Sequence, residues 1–147
     1  MDDARVYDLA LRCLALRPHG VVELGRKLRA KGASPAAVAE ALERCQASGC
    51  LNDAAFAESL ARNRLLDRRY GPGRVRLELR SLEVAAELAE AALDRLLAET
   101  DAIALARSAL EKRFGSAPAQ DTKSLKKRYD YLMRRGFDAD TIRQVLR

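Results

Sequence analysis

The sequence predicts an all-α protein built of three tandem repeats, each with three helices in a helix-turn-helix-like order. Two observations lead to this prediction. No stretch alternates β-branched with polar residues as strands do, whereas apolar residues recur at helical spacing between glycine, proline and capping residues. The same arrangement of leucines and turn residues also returns twice along the 147-residue chain. A row of repeats that contact only their neighbours is expected to form an elongated, curved molecule.

The repeat becomes visible when Leu28, Leu79 and Leu132 are aligned. Each is followed fourteen residues later by another leucine, and each is preceded by an aromatic residue and a glycine. In the third repeat this pair lies nine residues further from the leucine, around the segment SAPAQDTKS, which predicts a lengthened first loop. We therefore assign residues 1–50, 51–100 and 101–147 to the three repeats. The later leucines are Leu42, Leu93 and Leu146, and the aromatic–glycine pairs are His19-Gly20, Tyr70-Gly71 and Phe114-Gly115.

The first helix of the second repeat has signals at both ends. Asn52 or Asp53 can cap its first turn, because a side-chain oxygen there accepts a hydrogen bond from a free backbone N–H. Gly71-Pro72-Gly73 is expected to end it. The helix AAFAESLARNRLLDRR between these signals carries most of the basic residues that precede the turn.

The turn before each third helix is predicted from glycine. Gly32 and Gly136 stand where a helix ends in a left-handed residue, and Ser34 and Asp138 follow as caps of the next helix. The second repeat has Glu83 at the glycine position and Ala85 at the cap position. Because a side chain is penalised in the left-handed region, we expect this turn to be built differently. Pro35 suits the first position of its helix.

The third helices carry an apolar stripe at positions i, i+3 and i+4, which is expected to face a core. The stripe weakens to alanine in the second repeat. Its members are Val38, Ala41 and Leu42, then Ala89, Ala92 and Leu93, then Ile142, Val145 and Leu146.

Charge is unevenly distributed along the chain, whose formal net charge is +6. The segments 17–31, 60–80 and 112–135 are strongly basic, whereas 83–101 is acidic. Summed positive charge favours an acidic partner such as nucleic acid or an acidic protein surface. Arginine provides a planar fork of donors that fits phosphate or carboxylate. Arg64 and Arg68, like Arg76 and Arg80, are four residues apart and so share a helix face.

No constellation typical of an enzyme is present in the sequence. His19, the one histidine, stands at a ring position of the repeat and is expected to pack in a turn. Cys13, Cys45 and Cys50 lack a C-x-x-C spacing and are expected to be small packing residues. Neither metal-ligand spacing nor a phosphate-binding loop occurs, so no cofactor is expected. We expect a cytoplasmic protein without a membrane span, because no apolar run approaches the length of one.

The residues also resemble those of a known family. ELGRKLRAKG, followed by DAAFAESLARNR and GPGRVRLEL, is similar to the ordered motifs of the RecX regulatory proteins of bacteria. The resemblance is good from Glu23 to Arg80, and YLMRRGFDADTIRQVL fits the C-terminal repeat of that family. The matching landmarks are Glu23, Leu24, Lys27, Leu28, Lys31, Gly32, Asp53, Phe56, Ala57, Arg64, Gly71, Glu78 and Leu79.

The resemblance implies a regulator of the RecA recombinase. Such a protein binds the RecA nucleoprotein filament, inhibits its ATPase, co-protease and strand-exchange activities, and binds single-stranded and also double-stranded DNA without sequence preference. It is expected to act as a monomer. The alternative is a sequence-specific helix-turn-helix regulator of transcription. Candidate contacts to DNA or RecA are Arg26, Lys27, Lys31, Arg64, Arg68, Arg69, Arg74, Arg76, Arg80, Lys123, Lys126, Lys127, Arg128 and Arg134.

Overall fold

The computed structural model describes residues 2–147, which form nine α-helices and a π-helical segment but no β-strand. The all-α prediction is therefore confirmed. The first three helices are α1 (Asp3–Leu16), α2 (Val21–Ala30) and α3 (Pro35–Ala47). They are followed by α4 (Asp53–Arg62), which the π-helical segment Asn63–Asp67 continues, and by α5 (Pro72–Ser81) and α6 (Ala86–Glu99). The last three are α7 (Ala102–Phe114), α8 (Thr122–Arg135) and α9 (Ala139–Leu146).

The chain folds into two compact units. The first unit contains the residues up to Ser59 together with Leu79–Ala89, and the second contains Leu60–Glu78 together with Glu90–Arg147. The boundaries of these units lie within the segment assigned to the second repeat, so they do not test the repeat boundaries that the sequence predicts.

Small side chains dominate the core of the first unit, where α1 packs against α2 and α3. Val6, Ala10 and Cys13 on α1 are buried in one cluster with Leu24 and Leu28 on α2. The α3 stripe joins the same cluster: Val38 and Ala41 are buried and Leu42 is partly buried. Cys45 is also buried there, whereas Cys50 is exposed and does not pack as predicted. Cys50 lies in the short segment after α3, beside Gly49 and outside any helix.

In the second unit, α7 packs against α8 and α9. Leu132 and Ile142 are fully buried, and Val145 and Leu146 are partly buried, so this stripe also faces a core. The lengthened loop is present as residues 115–121, and Asp121 caps α8 by accepting from the backbone N–H of Ser124 at 2.7 Å.

The three turns before α3, α6 and α9 have the same backbone structure. In each, the residue after the left-handed position donates its N–H to the carbonyl of the aligned leucine. The prediction that the second turn differs is wrong: Glu83 has φ 55°, in the same region as Gly32 at 99° and Gly136 at 101°. The turn hydrogen bonds and burial of the following Val84 hold the glutamate there. The three bonds are Ala33 to Leu28 at 3.2 Å, Val84 to Leu79 at 3.0 Å and Phe137 to Leu132 at 3.1 Å.

The helix caps follow the sequence signals with one reassignment. Ser34 accepts from Ala37 N–H, Asp138 accepts from Thr141 N–H, and Pro35 opens α3. At the start of α4 the cap is Asn52, whose Oδ1 accepts from Ala55 N–H at 3.1 Å. Asp53 instead accepts from the backbone N–H of Val21 at 2.8 Å and so caps α2, whose own N-cap is a glycine.

Candidate functional site

An open cleft of about 990 Å³ in the second unit brings together five arginines that the sequence predicts as contacts. Its lining comes from the π-helical segment and the turn after it, from α5, and from the turn between α8 and α9 with the adjoining helix ends. Helices α6 and α7 add one residue each. The arginines are Arg64, Arg68, Arg74, Arg76 and Arg134.

Two turns in direct backbone contact form the floor of this cleft. Gly71 N–H donates to the carbonyl of Arg135 at 2.7 Å, and Gly73 N–H donates to the carbonyl of Gly136 at 2.9 Å. A Cβ at Gly71 would lie less than 3.0 Å from the Gly136 backbone, and one at Gly136 would lie 2.5 Å from the Arg74 nitrogen. Close approach therefore requires glycine at both positions, in addition to the role that Gly71 has in ending a helix.

Arg135, which sequence reasoning did not select, fixes the neighbouring turn. Its guanidinium donates to the backbone carbonyls of Arg68 and Arg69. Its guanidinium carbon also lies 4.1 Å from the ring centroid of Tyr70, and that of Arg74 lies 3.9 Å from the same centroid. Two guanidinium groups therefore pack against this one ring. The only sequence signal for Arg135 was its position before the turn glycine.

Two of the five arginines are already paired with carboxylates. The Nε of Arg64 lies 2.8 Å from Oε2 of Glu78, and its Nη2 lies 2.6 Å from Oε1. This pair raises the pKa of Arg64. Arg76 contacts both oxygens of Glu90, at 2.5 and 3.3 Å. Both arginines are thus held in place and largely neutralised.

The other three arginines, Arg68, Arg74 and Arg134, are exposed and are named here the cleft arginines. Within residues 2–147, no carboxylate lies within ion-pair distance of them. The backbone contact between the two turns holds Arg74 and Arg134 on adjoining walls. The cleft therefore presents unneutralised cations to an anionic group.

The remaining predicted residues of the second unit are spread outside this cleft. Arg69, at φ 57°, donates from Nε to Ser108 Oγ at 3.0 Å. Arg128 donates to the carbonyl of Ala117 at 2.9 Å, and Lys126 pairs with Asp130 at 2.9 Å. Lys123 and Lys127 are exposed on α8. Tyr131 packs edge-on against Phe114 with ring centroids 5.5 Å apart.

In the first unit, four predicted residues have other surroundings. Arg26 pairs with Glu83, and Lys31 and Arg80 are exposed. Lys27 places its Nζ 3.3 Å from Nε2 of the buried His19, whose Nδ1 lies 2.9 Å from the carbonyl of Arg17. Burial lowers the pKa of His19. This histidine packs in the turn, as predicted.

The part of the chain that the structure describes contains neither a metal-ligand cluster nor a helix able to span a membrane. No group of three or more His, Cys, Asp or Glu side chains there could hold a metal ion. The helices formed by residues 2–147 are all too short or too polar to cross a membrane.

Comparison with known proteins identifies the family. Models of the first, second and third three-helix domains of RecX match residues 7–45, 52–93 and 99–146. The chain is 39% identical over 140 residues to Regulatory protein RecX of Halorhodospira halophila, which covers 94% of this chain and 84% of the relative. It is 36% identical over 150 residues to the protein of the same name from Chlorobaculum tepidum, covering 100% of this chain and 91% of the relative.

Solved structures agree on the fold. The crystal structure of RecX from Lactobacillus salivarius superposes with a TM-score of 0.81 at 22% identity, over 98% of this chain and 94% of that one. The three matched domains and these relatives together show that the chain belongs to the RecX family of regulatory proteins.

Proposed function

We propose that this chain binds the RecA nucleoprotein filament and inhibits its ATPase, co-protease and strand-exchange activities. In that role it modulates recombination and the response to DNA damage. Membership of the RecX family supports a role in regulating RecA. The chain acts as a non-enzymatic binding protein, as a monomer in the cytoplasm and without a cofactor.

The observation that carries the proposal is the set of cleft arginines. A RecA filament offers both DNA phosphates and protein carboxylates, and the arginine fork binds either group. Binding energy at protein interfaces is typically concentrated on a few residues, among which arginine is common. The exposed cations outside the cleft, such as Arg80 and Lys127, supply sequence-independent contacts to DNA.

The test is the single-strand-dependent ATPase of RecA, measured with the chain at substoichiometric amounts. We expect inhibition by the native chain. Replacement of all three cleft arginines by glutamate should weaken inhibition at least about tenfold, because a loss of 1.4 kcal/mol in binding already has that effect. A matched control reverses three exposed arginines outside the cleft, Arg5, Arg12 and Arg107, and so has the same net charge. Equal inhibition by both variants would remove the cleft from the proposal, and no inhibition by the native chain would overturn it.

The alternative, a sequence-specific transcription regulator, predicts a different result. Such a protein selects one duplex from a random pool, because it reads base edges in the major groove. The proposed regulator shows no such selection. Enrichment of one sequence by the native chain, without inhibition of RecA, would favour the alternative.

A further inference from the structure

The cleft is apolar as well as cationic. Leu77 on α5 is 66% exposed and Met133 on α8 is 46% exposed, and both line it. The half-buried Leu97 also belongs to the lining. A single exposed leucine is ordinary in a soluble protein. Two large exposed apolar side chains in one concave site lined by arginines form a mixed surface of the kind that binds ligands.

The walls of the cleft suit nucleic acid poorly. Binding of single strands combines backbone contacts with rings on which bases stack. The Tyr70 ring already packs against the guanidinium groups of Arg74 and Arg135, and the other ring in the lining, that of Phe137, is buried.

We propose that the cleft is a docking site for a short acidic protein segment with an apolar anchor residue. The carboxylates of the segment pair with the cleft arginines, and the anchor packs between Leu77 and Met133. An unbranched methionine adapts its shape to such a side chain. Carboxylate groups complement the cleft arginines, and an apolar side chain complements the exposed patch that a phosphate chain would leave uncovered. This inference rests on the proposed function, since it assigns the cleft to the protein component of the filament.

The test compares three fluorescein-labelled probes by fluorescence anisotropy. The first is a short peptide of glutamates with spaced leucines, the second has serine in place of each leucine, and the third is an oligothymidylate of the same charge. We expect the native chain to bind the leucine peptide at least about tenfold more tightly than the serine peptide. Reversal of the cleft arginines should weaken binding of the leucine peptide more than binding of the oligothymidylate, because the proposed DNA contacts lie outside the cleft.

Matched variants test whether Leu77 and Met133 cause the preference for the leucine peptide over the serine peptide. The double variant Leu77→Gln with Met133→Gln should lose the preference for leucine over serine while still binding both peptides. Glutamine adds no charge, and both positions are exposed, so the fold should be retained. The control, Leu66→Gln with Leu125→Gln, changes two leucines that are each 40% exposed and do not line the cleft. It should keep the preference.

Three outcomes overturn the inference: absence of peptide binding, a larger effect of the cleft-arginine changes on oligothymidylate than on the leucine peptide, and a preference for leucine that survives the Leu77 and Met133 changes. The ATPase assay separates this failure from failure of the proposed function. Inhibition of RecA without the peptide preference overturns only the docking site. A peptide preference without inhibition of RecA overturns only the proposed function.

Discussion

Residues in the left-handed backbone conformation differ in whether their surroundings leave space for a side chain. Gly32, Glu83 and Gly136 all have positive φ. Glu83 demonstrates that a side chain can be accepted in this turn. A Cβ at Gly32 would meet nothing within 4 Å, whereas a Cβ at Gly136 would collide with the backbone of Arg74. The glycine at 32 is thus needed for its backbone preference alone, and the glycine at 136 also for its small size.

Alanine substitutions at these two glycines should therefore differ in cost. Gly32→Ala should lower the free energy of unfolding by about 1 kcal/mol, the penalty for a side chain in the left-handed region. Gly136→Ala should lower it by about 2–5 kcal/mol, because overpacking against Arg74 adds to that penalty. Urea unfolding followed by circular dichroism measures both. Equal losses would show that the close approach of the two turns does not constrain position 136.

The buried His19 should make stability depend on pH. Burial lowers its pKa in the folded state, so the unfolded chain binds a proton at higher pH than the folded chain does. Its contribution to stability is complete above its unfolded pKa of about 6.5 and decreases as pH falls below that value. Thermal unfolding between about pH 7 and 5 should show this loss.

The control is His19→Phe, which places there the ring type that the third repeat has at Phe114. Its stability should change less over the same range, since no proton binds to the ring. The lowered pKa of Glu23, which pairs with Arg17, acts only at more acidic pH, below the usual value of 4.5. Parallel pH profiles for the two proteins would contradict the assignment to His19.

At the scale of helices, a cap can come from a distant part of the chain. Gly20 begins α2 without a side-chain acceptor, and the carboxylate of Asp53 fills that role from the start of α4. A Cβ at Gly20 would lie 3.4 Å from this carboxylate and from the Phe56 ring, so a small residue lets the two segments meet. One carboxylate thus stabilises α2 and holds it close to α4.

Asp53→Ala should lower the free energy of unfolding by about 1 kcal/mol, the usual cost of losing a cap. Asp53→Asn keeps a side-chain oxygen that can accept from Val21 N–H, so it should recover most of this loss. Asn52→Ala, which removes the cap of α4, should cost a similar amount. Chemical denaturation of the three variants measures their free energies of unfolding and so distinguishes the cap of α2 from the cap of α4. An Asp53→Ala variant with unchanged stability would mean that water satisfies the Val21 N–H equally well.

The sequence predicted those elements whose causes are local. Gly136 and Asp138 define a turn and a cap within a few residues, and both predictions are confirmed. The turn at Glu83 was missed because hydrogen bonds and the burial of Val84 outweigh a local penalty. At the site, the sequence identified arginines as candidate contacts. It could not show that Arg64 pairs with Glu78, fourteen residues away, whereas Arg68 has no carboxylate partner within residues 2–147. Such pairing depends on tertiary distances that a charge pattern does not contain.

For the molecule as a whole, ion pairs reduce the charge available to a partner. The formal net charge is +6, yet several of the predicted contact residues already have a carboxylate partner. Salt dependence reports the number of phosphates that cations neutralise, not the number of cations in the sequence. The dependence of DNA binding on salt should therefore come from the exposed cations without such partners.

Helix α8 contains both paired and unpaired lysines, so their contributions to the salt dependence of DNA binding can be compared within one helix. Lys123 and Lys127 are exposed and four residues apart, whereas the intervening Lys126 pairs with Asp130. For single-stranded DNA, each phosphate contact contributes about −0.7 to the slope of log affinity against log salt. Replacing Lys123 and Lys127 by glutamine should therefore make that slope less steep by about 1.4, from two lost contacts. Lys126→Gln should change it little, because the Lys126 ammonium contacts the Asp130 carboxylate and, while that pair holds, makes no phosphate contact to lose. Titrations of fluorescent oligothymidylate at several salt concentrations give both slopes, and a larger change for Lys126→Gln would show that the ion pair opens when DNA binds.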